Sequence, residues 1–135
     1  MKQYFTIIGI IICSVIYCQT STNESLALEY YKKGDFEKAV QIYENIYKEK
    51  KVKSIYNRYV DCLIKTQSYK KAEKIIRNFY RKSNDLTVLI DWGQLYTLQN
   101  KEELANEKFQ LAIKEGKKNT RFLASVGGKF LKNKQ

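Results

Sequence analysis

None of the 135 residues of this chain is a histidine. That removes Ser-His-Asp triads, Cys-His dyads, HExxH zinc sites and most zinc-finger types together. A nucleophilic thiol needs a base beside it, so Cys62 reads as a small buried hydrophobe. The adjacent Glu102 and Glu103 are the carboxylate pair that hydrolysis could use, yet they fall in the first turn of a predicted helix, where acids suit the dipole. The 6 glycines form no phosphate-cradling loop, and the 0 prolines leave no proline-rich ligand segment. No catalytic, cofactor-binding or metal-ligating residue is therefore assigned, and no cofactor is expected. What the chain does have is charge: 25 Lys and Arg against 14 Asp and Glu, a formal +11. Lys70, Lys74, Arg77 and Arg81 share one helix face. Lys48, Lys50, Lys51 and Lys53 crowd one linker, and Lys114, Lys117, Lys118 and Arg121 another. Such a surface either keeps the protein solvated or attracts anionic partners, among them acidic proteins, lipid headgroups and polyanionic envelope glycans. Nucleic acid would fit the charge, but no recognised nucleic-acid motif accompanies it, and nucleic acid is not an expected partner.

The first residues form a separate segment. Lys2 gives a positive start, and Tyr4 to Tyr17 is a run without charge, rich in Ile7, Ile8, Ile10, Ile11, Ile12, Val15 and Ile16. A spanning helix needs roughly 20 apolar residues, more than this run supplies. A charged start, a short apolar stretch and polar residues after it match a secretory leader over residues 1–19. The cut is expected after Cys18 or Gln19, and the short tail ending in Gln resembles leaders of Bacteroidetes-type bacteria. Lipidation at Cys18 competes with this reading; against it stands the bulky Tyr17 where lipoprotein leaders carry a small residue. With the leader removed, Cys62 has no partner for a disulfide. The expectation is an exported protein of the periplasm or cell envelope.

From residue 20 onward the apolar spacing is helical. Phe36, Ala39, Val40, Tyr43, Ile46 and Tyr47 step round one helix face. So do Val52, Ile55, Tyr56, Tyr59, Val60, Leu63 and Ile64, then Tyr69, Ala72, Ile76, Phe79 and Tyr80, and then Ala105, Phe109, Ala112 and Ile113. Sustained period-two alternation does not occur. Cap residues divide the helices: Ser21 with Glu24, Gly34 with Asp35, Ser68, Asn84 or Asp85, Asn100 with Glu103, and Gly116 as the last stop. The predicted helices are 22–33, 36–49, 53–66, 69–82, 86–99, 101–115 and 119–132. Links this short make sequential helices antiparallel neighbours. The fold class is all-α.

A short helix pair cannot bury its apolar face alone, so repetition is the next test. Ala39, Ala72 and Ala105 are 33 residues apart each time. Around them stand Ala27, Tyr30, Gly34, Phe36, Tyr43 and Ile46, then Val60, Leu63, Gln67, Tyr69, Ile76 and Phe79. The third set is Gly93, Tyr96, Asn100, Glu102, Phe109 and Ala112. The pattern resembles the tetratricopeptide repeat (TPR). That family carries a small residue, an aromatic three later, a turn Gly, an aromatic two on, then Ala, an aromatic four on, and a second small residue. The first unit carries it best; the third keeps Trp92-Gly93, Tyr96, Ala105, Phe109 and Ala112; the second has Gln67 in place of the turn Gly. The unit-closing Pro is missing throughout. Val126-Gly127 and Phe130 begin a fourth match.

The resemblance implies a right-handed α-solenoid of antiparallel helix pairs, with units at about 20–52, 53–85 and 86–118 and a terminal helix 119–132. It further implies a concave groove lined by the first helix of each unit. The outward positions would be Glu24, Leu28 and Tyr31, then Asn57, Asp61 and Lys65, then Ile90, Gln94 and Thr97, with Arg121 beyond. Tyr31, Asn57, Asp61, Lys65, Gln94 and Arg121 are the candidate groove for a peptide or partner protein. The paired Lys and Asn with which some members clamp a peptide carboxylate are absent, Glu24 and Leu28 standing there instead. Tyr30, Tyr43, Tyr56, Tyr59, Tyr69 and Tyr96 fall on packing phases, whereas Tyr31 and Tyr47 are freer to meet a ligand. The function this implies is a non-catalytic interaction scaffold of the bacterial cell envelope. The alternatives are a basic module associated with membrane or polyanion through Lys70, Lys74, Arg77 and Arg81, or a shortened member of a longer repeat protein.

Overall fold

A computed structural model of the chain describes residues 22–117. The leader and Cys18, the Ser21 cap, Arg121 and the terminal helix 119–132 lie outside those residues. Six helices account for most of what is described, with no strand among the described residues. They are α1 (22–33), α2 (Phe36–Glu49), α3 (Lys53–Lys65), α4 (Tyr69–Ser83), α5 (Thr87–Leu98) and α6 (Glu102–Gly116). The described helices divide between two compact units, with the boundary between Thr66 and Gln67.

In the first unit, α1 turns into α2 at Gly34, whose φ of 78° lies in the left-handed region that a residue without Cβ enters freely. The Asp35 carboxylate then caps α2, accepting from the Lys38 amide at 3.4 Å and from its ammonium at 2.7 Å. That charge-assisted pair holds the Asp35 carboxyl below its ordinary pKa. α2 packs on α3. Between the helices lie Ala27, Ala39, Tyr43, Ile46, Ile55, Tyr56, Tyr59, Cys62 and Leu63, all buried. Tyr47 joins them with 7% exposure, its ring 5.7 Å from that of Tyr59. The expectation that Tyr47 is freer to meet a ligand is therefore corrected: its position on α2 faces α3, and the ring fills that interface.

In the second unit, α5 packs against both α4 and α6. Its consecutive Val88, Leu89 and Ile90 are all buried, because a helix with neighbours on two sides needs apolar residues on more than one face. Leu89, Ile90 and Ala112 form a cluster against which Trp92, Phe109, Leu86, Leu111 and Tyr80 pack. Ile90, read as an outward groove position, is 1% exposed and belongs to this core. Cap chemistry also differs from expectation. Ser68 stands at the N-cap of α4 without a side-chain cap bond. Asn100 does not cap α6; Lys101 is its N-cap residue, and Asn100 has a φ of 57°. Neither Asn84 nor Asp85 is the N-cap of α5: that residue is Leu86, without a side-chain cap bond, and the Asp85 carboxylate one position earlier accepts from the Thr87 amide at 2.9 Å and the Thr87 hydroxyl at 2.7 Å.

Three of the four left-handed positions among the described residues carry the repeat as clearly as the alanines do; the fourth, Asn84, ends α4. Gly34, Gln67 and Asn100 have φ values of 78°, 54° and 57°. They are spaced by 67 − 34 = 33 and 100 − 67 = 33 residues. Each ends a helix in the same backbone conformation, but only the first is Gly. Asn enters that region at low cost, whereas Gln pays roughly 1 kcal/mol for its Cβ. Gln67→Gly is expected to stabilise the protein by about 0.5–1 kcal/mol, read as an increased urea midpoint at unchanged slope. Gly34→Gln, the reverse exchange at the matching turn, should cost about as much.

Candidate functional site

Of the six candidate groove residues, the structure joins two. The Tyr31 hydroxyl donates to the Asp61 carboxylate at 2.8 Å, linking α1 to α3 across 30 residues of chain. The bond is part-buried. On its other side the Tyr31 ring meets Phe36 edge-on, centroids 5.8 Å apart at 76°. The phenol is thus held by a carboxylate at its tip and an aromatic edge at its body. Donation to Asp61, then burial and the negative charge of Asp61, push its pKa up to about 12. At neutral pH it stands as a neutral donor.

Asn57 and Lys65 stand on α3 four residues either side of Asp61, which sets all three along one stripe of the helix. Both are exposed, while Asp61 is half-buried by its contact with Tyr31. The stripe therefore offers an amide, a carboxylate with one oxygen engaged, and an ammonium, over roughly 12 Å of helix. Glu24 on α1 is engaged elsewhere, its carboxylate 3.0 Å from the Lys50 ammonium. Next to Asp61, Cys62 points inward with 0% exposure. Burial, with Asp61 adding to it, pushes the thiol up to about 12.

In the second unit Gln94 is half-buried and Thr97 exposed on α5; Thr97 is tied back to its own helix through the Gly93 carbonyl at 3.1 Å. Lys70, Lys74, Arg77 and Arg81 are all exposed along α4. Sequence reasoning treated these four as equivalent, and they are not. The Glu73 carboxylate lies 3.6 Å from the Arg77 guanidinium and accepts the Tyr96 hydroxyl at 3.0 Å. The i,i+4 spacing of Glu73 and Arg77 was visible in the sequence; the arrival of Tyr96 from α5 was not. Among the described residues no group of three or more His, Cys, Asp or Glu is placed to hold a metal ion. No helix among them is long and apolar enough to cross a membrane.

No protein-family model matches the chain, and no curated protein matches it. Among solved structures it is similar to the C-terminal part of a TPR repeat-containing protein from Cytophaga hutchinsonii, at a TM-score of 0.50 and 18% sequence identity. The likeness covers 82% of this chain and 45% of that one, so the chain spans less than half the length of the structure it matches. At that identity the likeness is one of fold: an all-α, TPR-like array of helices, as the 33-residue period and the resemblance of its motif led us to expect.

Proposed function

We propose that this TPR-like chain is a non-catalytic interaction scaffold, binding an extended peptide or partner segment on the outward face of its first-helix positions. The observation that carries this reading is the Tyr31–Asp61 bond. It fixes two outward side chains from different helices before any partner arrives, which lowers the ordering cost of binding. Asn57 and Lys65 flank the fixed pair with groups that pair a backbone amide and an acidic side chain. A non-catalytic role is further supported by the two groups whose chemistry would otherwise attract attention. Tyr31 and Cys62 are both held neutral, each pushed up to about 12, where a nucleophile or base would need the opposite shift. The apolar run that follows Lys2 supports export, and we place the scaffold in the cell envelope on that ground.

The test is selection of peptides from a random display library on the immobilised protein. Enriched peptides should bind Asp61→Lys, Asn57→Ala and Lys65→Glu variants at least tenfold more weakly, with far-ultraviolet circular dichroism unchanged. No enrichment, or enriched peptides indifferent to all three substitutions, would overturn the reading. Export is read separately from the mass of the protein recovered from its native cell. An N-terminus at Gln19 or Thr20 supports the cleaved leader, and acyl chains on Cys18 or retention of Met1 would refute it.

A further inference from the structure

The charge of the second unit is gathered on one helix. α4 carries Lys70, Lys71, Lys74, Arg77, Arg81 and Lys82 against the single acid Glu73, a balance of 6 − 1 = +5. α5 carries Asp91 alone, and α6 carries four acids against Lys108 and Lys114, a balance of 2 − 4 = −2. A coat serving only solubility would not need this segregation. Among the described residues, Lys70, Lys74 and Arg81 have no ion-pair partner, so their charge is not spent within the fold. Arg77 is different in kind. Its guanidinium is 54% exposed yet lies against Glu73, which is 26% exposed and is itself held by the Tyr96 hydroxyl. The chain from Tyr96 to Glu73 to Arg77 restrains one planar fork in a row whose other cations have no ion-pair partner among the described residues.

We infer that α4 docks an extended, carboxylate-rich segment of a partner protein along Lys70, Lys74, Arg77 and Arg81, with Arg77 as the fixed anchor. This row shares no residue with the α1–α3 stripe, and the inference does not rest on the groove reading. The steps of four, three and four residues place successive cations roughly 4.5–6 Å apart along the helix. An extended chain sets side chains of one face about 6.6 Å apart, so alternate acids can follow the row. A guanidinium held in place pairs a carboxylate in bidentate fashion, which a free lysine cannot do. A bilayer is disfavoured because interfacial helices insert an apolar face. That side of α4 is already buried through Ala72, Ile76 and Phe79, and none of the exposed large hydrophobics lies on α4. Single-stranded nucleic acid asks for aromatic platforms, whereas Tyr69, Phe79 and Tyr80 are buried or half-buried.

Fluorescence anisotropy of the full chain with a labelled peptide of alternating glutamate and serine tests this. Vesicles of phosphatidylglycerol and a labelled oligothymidylate are measured in parallel. The peptide should bind most tightly. Replacing Lys70, Lys74, Arg77 and Arg81 together by Gln should weaken binding at least tenfold, while Lys32→Gln, which removes an exposed charge on α1, leaves it unchanged. Two charge-preserving variants test the anchor: Arg77→Lys removes the fork and Tyr96→Phe releases Glu73, and each should weaken binding about threefold. Absence of peptide binding, or binding indifferent to the fourfold substitution, would overturn the inference. So would tighter, substitution-sensitive binding of the vesicles or of the oligonucleotide, and indifference to both charge-preserving variants would overturn the anchoring by Arg77.

Discussion

Gly93→Val is expected to destabilise the protein by about 3 kcal/mol, the scale of overpacking in a closed core. Gly93 lies inside α5 and is buried. A Cβ there would press against the ring of Phe109 on α6, 2.7 Å from both Cδ1 and Cζ and nearer still to Cε1. The ring leans on the Leu89–Ile90–Ala112 cluster, so it cannot move aside without opening that core. Gly93→Ala isolates the cause. In a helix interior Ala is preferred to Gly by about 1 kcal/mol, so without the ring the exchange would stabilise. With the ring present it should destabilise by about 1–2 kcal/mol. In a Phe109→Ala background, itself weakened by several kcal/mol, the same Gly93→Ala exchange should reverse sign and recover close to 1 kcal/mol. Urea unfolding of the four proteins of this cycle measures the coupling directly. The same sign in both backgrounds would remove the close approach of α5 and α6 as the reason for glycine.

The matching positions of the repeat show how much of this was legible. Ala39, Ala72 and Ala105 occupy one consensus place, and all three are buried. Their spacing disclosed a helix-crossing position because close approach restricts side-chain size whatever the rest of the helix does. The burial of Ile90 was not legible for the opposite reason. α5 meets α4 and α6, and a helix covered on two sides has no single apolar face for periodicity to reveal. Asn100 was misread because Asn suits two different jobs at a helix boundary, capping the next helix and entering the left-handed turn, and the sequence does not say which. Its φ of 57° decides for the turn. At the candidate sites, the sequence offered Asn57–Asp61–Lys65 through the repeat resemblance and Lys70–Lys74–Arg77–Arg81 through helical spacing. It missed what distinguishes members within each row, since the Tyr31–Asp61 and Tyr96–Glu73 bonds close across 30 and 23 residues. Helical periodicity reports which residues share a face, not which side chain from another helix reaches it.

The same Tyr31–Asp61 contact, with the buried groups beside it, makes the first unit sensitive to alkali. Burial pushes Cys62 up from 9.0 to about 12 and Tyr43 up from 10.0 to about 12. Tyr31 is pushed from 10.0 to about 12 chiefly by donating to Asp61, and burial pushes Tyr47 upward as well. For each of these groups the folded state keeps a proton that the unfolded chain releases. The stability they confer is therefore intact below the unfolded pKa and falls as pH rises toward the folded one. The loss begins near pH 9.0 with Cys62 and steepens from pH 10.0 as the tyrosines join. Each fully buried group, Cys62 and Tyr43, contributes a slope of about 1.4 kcal/mol per pH unit. Two such slopes over this range remove several kcal/mol, a large part of what a domain of this size holds. Phenolate absorbance of the buried tyrosines should then appear together with the loss of helical circular dichroism, not ahead of it. Lys33 and Lys38 are pushed up by Glu29 and Asp35 and titrate in the same direction, so the thiol is isolated by comparison. Cys62→Ala keeps both lysines and removes only the earliest proton. Its urea midpoint should stay flat past pH 9.0 and decline from about pH 10.0 with a slope smaller by one proton. An identical pH profile for the two proteins would mean that Cys62 ionises inside the fold without cost, and that its burial does not exclude water.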